Sequence, residues 1–154
     1  MIYNIFLIIL LVGAFACAWA ISRADFRRRI IPDAYLFPLM LIGLVVVHFF
    51  PWPVTTSDSI IAAVFGYALA SLVGFIFEQT QRTKSVTTPI GMGDIKLMAV
   101  GGIWLGTSGL AVTLIIACIT GMIWGMFKHQ KFIPFAPFFI IGGILSLITM
   151  AFLI

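Results

Sequence analysis

Charged residues are scarce in this sequence: Asp, Glu, Lys and Arg together make up 9% of its 154 residues. A soluble domain usually has about 25% charged residues, so too little polar surface is available here for a water-facing exterior. Hydrophobic residues make up 62% of the chain. The composition therefore argues against a soluble protein and predicts an integral membrane protein with the lipid bilayer as its solvent.

Cysteine is also rare: the chain has only Cys17 and Cys118, and both lie inside apolar runs. No CxxC pair and no Cys/His ligand spacing occurs, so neither a disulfide framework nor a structural zinc site is supported. His48 and His129 have no second histidine or cysteine at ligand spacing, and we interpret them as interfacial residues. We therefore expect no metal and no organic cofactor.

Long apolar runs dominate the chain. A membrane-spanning helix needs about 20 mostly apolar residues, and on that length we predict an all-α fold, a single domain (1–154) forming a helical bundle of about six transmembrane helices. The predicted spans are 2–21, 34–50, 60–77, 95–105, 110–127 and 134–154. The fourth is short, which leaves open a tilted helix, a helix extended through 106–109, or a re-entrant segment.

The placement of the basic residues predicts the topology. All nine Lys and Arg lie in or beside three loops, 22–33, 78–94 and 128–133, and none lies in 51–59 or 106–109. Positive charge is retained on the cytoplasmic side, so these three loops are predicted inside and both termini outside. The cations are thereby explained as topology signals, and we do not expect a nucleic-acid partner.

Small residues recur on three of the predicted spans at spacings that favour close helix packing. They are Gly66, Ala70 and Gly74 on the third span, Gly121 and Gly125 on the fifth, and Gly142, Gly143 and Ser146 on the last. This pattern predicts a compact bundle.

Two of the few acids lie at the cytoplasmic ends of predicted spans. Asp25 follows the first span and Asp94 begins the fourth, so the topology places both on one face at similar depth. Like charges in close contact cannot both ionise cheaply, so such a pair can share one proton. The ionised carboxylate can then activate a water for attack on a peptide carbonyl, while the protonated one polarises that carbonyl. Gly91 and Gly93 have no side chain, which leaves room for an extended substrate backbone beside Asp94.

Structural interpretations of the same acids stand beside this one. Asp25 also fits an interfacial acid that offsets the neighbouring arginines, and Asp94 fits an N-cap of the fourth helix. Asp33 is predicted to cap the second span and is the rival for the second catalytic acid. Asp58 and Glu78 are interpreted as solvated loop ends.

Three segments resemble signatures of the type IV prepilin peptidases: DFRRRIIPD at 25–33, GMGDIK at 91–96 and IPFAPF at 133–138. They occur in that family's order and span about residues 20–140. The resemblance implies a membrane aspartic endopeptidase of the bacterial cytoplasmic membrane. Such an enzyme cuts the short basic leader from prepilins and pseudopilins at the cytoplasmic face, after a Gly that precedes their hydrophobic helix.

Matched by position, Asp25 and Asp94 correspond to the family's catalytic pair. The supporting residues that match the motif frame are Gly91, Gly93, Lys96, Pro32 and Asp33, and Asp33 corresponds to a position that is not the catalytic acid. The larger members of the family carry paired CxxC motifs and also methylate the new pilin amino terminus. This chain starts at the peptidase core without those cysteines and resembles a short form, so methyltransferase activity and S-adenosylmethionine have no support.

Two other classes of function remain as alternatives. A small ion- or proton-coupled transporter would also use membrane acids, but such acids usually lie deeper than Asp25 and Asp94, and the predicted spans carry no charge in their middles. A structural subunit of a pilus or secretion assembly would tolerate neutral residues at both positions.

Overall fold

The computed structural model describes residues 2–80, 91–128 and 133–153. These residues form five helices and no strand: α1 (Ile2–Arg28), α2 (Asp33–Phe49), α3 (Thr56–Thr80), α4 (Met92–Lys128) and α5 (Phe135–Leu153). Four of them, α1, α3, α4 and α5, are long and apolar enough to cross a membrane, whereas α2 has 17 residues. The prediction of an all-helical membrane bundle is confirmed.

The helix count differs from the predicted six, because α4 covers both the fourth and the fifth predicted spans. Gly106 interrupts it with φ 65° and ψ −174°, a conformation that is accessible essentially only to glycine. We call residues 92–105 the first arm of α4 and residues 107–128 its second arm.

The two arms fold back on each other. A Cβ placed on Gly66 would lie 3.1 Å from the carbonyl oxygen of Met98 and 3.0 Å from Cδ2 of Leu110. In a straight helix, twelve residues would separate these two positions by about 18 Å. The first arm therefore does not extend straight through 106–109, and the chain reverses direction at Gly106.

Asp58, in the first turn of α3, holds this reversal. Its carboxylate accepts hydrogen bonds from the Thr107 backbone N–H (3.1 Å) and the Thr107 hydroxyl (2.7 Å). These bonds satisfy a free backbone donor at the start of the second arm. The interpretation of Asp58 as a solvated loop end was therefore wrong, whereas Glu78 is exposed near the end of α3 as expected.

Small residues bring the helices into contact much as predicted. A Cβ on Gly102 would lie 2.6 Å from the backbone of Ala62, and one on Gly142 would lie 2.9 Å from the Thr113 carbonyl oxygen. The Ser146 hydroxyl donates to the Gly109 carbonyl (3.2 Å). Gly74 is the exception, since nothing in the described part of the chain lies within 4 Å of its Cβ position. α4 thus packs against α3 on one side and α5 on the other.

Candidate active site

Asp25 lies in the last turns of α1 and is 5% exposed. Its Oδ2 accepts the backbone N–H of Ala136 at 2.8 Å, and the N–H of Phe135 also bonds this carboxylate. Arg29 lies within electrostatic range. The carboxyl is buried and bonded to another helix, so Asp25 does more than offset the neighbouring arginines at the interface.

The donors to Asp25 come from the segment IPFAPF, whose contribution to the site could not be assigned from sequence. Phe135 and Ala136 are the first two residues of α5, and the N–H groups at a helix start have no partner within the helix. Pro134 precedes them and favours a helix start at this point. The proline next to a new span was the available signal, but nothing in the sequence indicated which acid those N–H groups would meet.

Asp94 is the third residue of α4 and is half-buried. Its Oδ2 accepts the backbone N–H of Gly91 at 3.2 Å, and its own N–H donates to the Gly91 carbonyl at 3.0 Å. This is the reciprocal bond that an acid at the third helical position makes to the N-cap residue. The capping interpretation is therefore right in a modified form, with Gly91 at the N-cap and Asp94 reaching back to it.

The two acids converge although they come from distant parts of the sequence. Gly93, next to Asp94, packs against Ile31, and Lys96 bonds Asp33, so the end of α1 and the start of α4 lie at the same end of the bundle. The start of α5 joins them through Ala136. Three helix ends thus surround one pair of carboxyl groups.

Gly93 allows the close approach of α4 to the segment between α1 and α2. A Cβ on Gly93 would lie 2.8 Å from the Cβ of Ile31, which is 8% exposed. Gly93 therefore serves close packing against Ile31, whereas we had predicted that it leaves room for the substrate backbone. Gly91 is exposed, and among the described residues a Cβ there would meet only Oδ2 of Asp94, at 3.3 Å.

Asp33 and Lys96 form an ion pair that joins the start of α2 to the start of α4. Their Oδ2 and Nζ atoms are 2.7 Å apart, and the side chains are 47% and 36% exposed, respectively. Pro32 takes the N-cap position of α2, with no side-chain capping bond. The predicted capping role of Asp33 was therefore wrong, and its carboxylate faces Lys96 instead.

We expect exchange of this ion pair to be tolerated better than removal of either partner. Exposed pairs contribute about 0.2–1 kcal/mol, so Lys96→Asp or Asp33→Lys alone, which places like charges together, should lower thermal stability modestly. The double variant Asp33→Lys/Lys96→Asp should recover part of that loss. Thermal unfolding of the four proteins in one detergent measures this coupling, and strictly additive losses would contradict a direct contact.

The described residues include no cluster of possible metal ligands. Within residues 2–80, 91–128 and 133–153, no three His, Cys, Asp or Glu side chains are grouped closely enough to hold a metal ion. His48 lies near the end of α2 with its ring against Phe49. His129 lies outside the described residues, together with the rest of 129–132 and residues 81–90 of the predicted inner loops.

This arrangement of helices defines a multi-pass helical membrane protein. Residues 5–126 match the type IV leader peptidase family. The chain is 32% identical over 133 residues to a prepilin leader peptidase/N-methyltransferase of Pseudomonas putida, covering 80% of this chain and 44% of that protein. A protein of the same name from Pseudomonas aeruginosa is 32% identical over 138 residues, covering 84% of this chain and 45% of that one.

A Burkholderia pseudomallei relative of that name is 28% identical over 142 residues, which cover 88% of this chain and 44% of the relative. No solved structure shows significant similarity. The chain spans a little less than half the length of these curated relatives. With most of its length matched, the chain belongs to the type IV leader peptidase family.

Proposed function

We propose that this protein is a membrane aspartic endopeptidase that removes the basic leader of prepilin-like substrates at the cytoplasmic face. The observation that carries the proposal is that Asp25 and Asp94 lie at the same end of the bundle, where α1, α4 and α5 meet. Both residues lie within segments that resemble family signatures, and relatives that are 32% identical to this chain over the aligned 133 and 138 residues are named prepilin leader peptidase/N-methyltransferase. Those names also include N-methyltransferase, and the proposal covers only the peptidase step.

In the proposed reaction, the two carboxyls share one proton, because two like charges in contact cannot both ionise cheaply. The ionised carboxylate removes a proton from water as its oxygen attacks the scissile carbonyl carbon, and the protonated carboxyl polarises the carbonyl oxygen. Collapse of the tetrahedral intermediate breaks the C–N bond, and a proton passes to the leaving amine. The N–H donors from α5 keep Asp25 oriented throughout.

The cytoplasmic orientation is supported by the cations around the pair. Arg27 and Arg28 end α1 beside Asp25, Lys96 follows Asp94, and Lys128 ends the second arm, which returns to this side of the bundle. Because positive residues are retained in the cytoplasm, the site opens to the cytoplasmic face of the bacterial inner membrane. Both chain termini then lie outside.

The test is cleavage of a defined substrate by the purified protein in lipid vesicles. The substrate is a peptide with a lysine-rich leader, a Gly, and an apolar helix of about 20 residues. We expect one cut, after the Gly, identified by the mass of the released leader, and we expect the rate to be unchanged by a chelator. An intact substrate, or activity lost on chelation, would refute an aspartic peptidase.

A further inference from the structure

An apolar cleft runs between α1 and α5, with the first arm of α4 as its floor. Its cavity has a volume of about 210 Å³. Small residues make the space, among them Ala14 and Ala18 on α1 and Gly143 on α5, with Leu97 and Phe139 beside them. We call it the α1–α5 cleft.

The walls of the cleft lead directly to the acid pair. Asp25 lies seven residues after Ala18, about 10 Å along α1 and on the same helix face. Asp94 lies three residues before Leu97, and Ala136, which bonds Asp25, lies three residues before Phe139. Since residues three, four and seven apart share a helix face, all three walls of the cleft continue into the candidate active site.

Two tryptophans line the cleft away from the acid pair. The indole N–H of Trp52 donates to the Trp104 carbonyl at 2.9 Å, and the indole N–H of Trp104 donates to the Leu39 carbonyl at 3.1 Å. Their ring centroids are 5.5 Å apart. With both N–H groups bonded, the tryptophans present apolar ring surface to the cleft.

The cleft limits what can enter it. Its cavity of about 210 Å³ has room for the side chains along one face of a helix lying against it. Small wall residues of this kind are what allow helices to approach closely in lipid.

We propose that the α1–α5 cleft binds one face of the substrate's apolar helix, which enters sideways from the bilayer and presents the preceding peptide bond to Asp25 and Asp94. The proposal rests on the peptidase function proposed above. A lipid acyl chain is the competing occupant. The substrate helix is favoured because the walls of the cleft continue along α1, the first arm of α4 and α5 to the two acids, where the scissile peptide bond must lie.

Two matched substitutions on α1 test the cleft, one that fills it and one that does not. Ala18 lines the cleft, whereas Ala16 is exposed on another face of the same helix. We expect Ala18→Phe to raise the KM for the helix-bearing peptide about tenfold, and Ala16→Phe to leave it within about twofold of wild type. Thermal unfolding of both variants checks that the bundle is intact.

Photocrosslinking gives a second measurement that does not depend on turnover. Benzoylphenylalanine is placed at position 18 or 16 in the Asp94→Asn background, so that the peptide stays whole. We expect crosslinks to the apolar part of the peptide from position 18 and not from position 16. Equal peptide crosslinking from both positions, or crosslinking to lipid alone from position 18, would overturn the proposal.

The two proposals fail in different ways. If the wild-type protein does not cleave the peptide, the peptidase function is wrong. If the wild type cleaves it and Ala18→Phe matches Ala16→Phe in KM, the function stands and only the α1–α5 cleft is wrong.

Discussion

Replacement of either Asp25 or Asp94 by asparagine is expected to lower the rate of leader cleavage by about 10³-fold or more, since a positioned acid or base typically contributes 10²–10⁴-fold. An asparagine neither takes a proton from water nor holds the shared one. Both residues are needed in the same step, so the double variant should be hardly worse than either single one. Initial rates with the vesicle-embedded protein and the lysine-leader peptide measure the loss.

The same substitutions should leave the bundle folded. A loss of activity can then be attributed to the reaction and not to unfolding. An asparagine side chain retains a carbonyl oxygen, so position 25 still accepts the N–H of Ala136 and position 94 still accepts that of Gly91. Each hydrogen bond then has a neutral acceptor in place of a charged one, which costs about 1 kcal/mol. We therefore expect thermal unfolding temperatures close to that of the wild type.

Asp33→Asn is the matched control for this experiment. Asp33 faces Lys96 across 2.7 Å, so its amide variant loses an exposed ion pair and should keep most of the activity. Loss at Asp33→Asn as large as at Asp94→Asn would make Asp33 the second acid. Undiminished cleavage by the Asp25→Asn/Asp94→Asn double variant would end the aspartic hypothesis.

Composition and charge alone predicted much of this molecule. Apolar runs long enough to span a membrane predicted the helical bundle, because lipid forces the backbone to hydrogen-bond within its own segment. Apart from Gly74, the small residues at four-residue spacing lie at helix contacts, because only they permit close packing. The candidate acids were identifiable because charges near apolar spans are few and costly.

Contacts between distant segments could not be predicted from the sequence. Nothing local indicated that Asp25 would meet the start of α5, or that Asp33 would face Lys96 instead of capping its own helix. Asp58 was misread for the same reason, since its partner Thr107 lies 49 residues away. Such pairings follow from how the helices are arranged, and a hydrophobicity pattern does not encode that arrangement residue by residue.

Gly106→Ala is expected to destabilise the fold through both backbone strain and a collision. Alanine at φ 65° and ψ −174° costs about 1–3 kcal/mol. The new Cβ would also collide with Oδ2 of Asp58 and displace it from Thr107, which costs about a further 1–3 kcal/mol. We therefore expect the free energy of unfolding to fall by about 2–6 kcal/mol, measured by denaturant titration in one detergent.

Gly74→Ala is the matched control for this change, because nothing in the described residues lies within 4 Å of its Cβ position. Alanine is the better helix former there, so stability should stay equal or rise slightly. The double variant Gly106→Ala/Asp58→Ala separates the two costs. The collision and the lost bonds both involve Asp58. The double variant should therefore lose less stability than the two single variants lose together. Gly106→Ala as stable as Gly74→Ala would mean that the chain does not reverse at this residue.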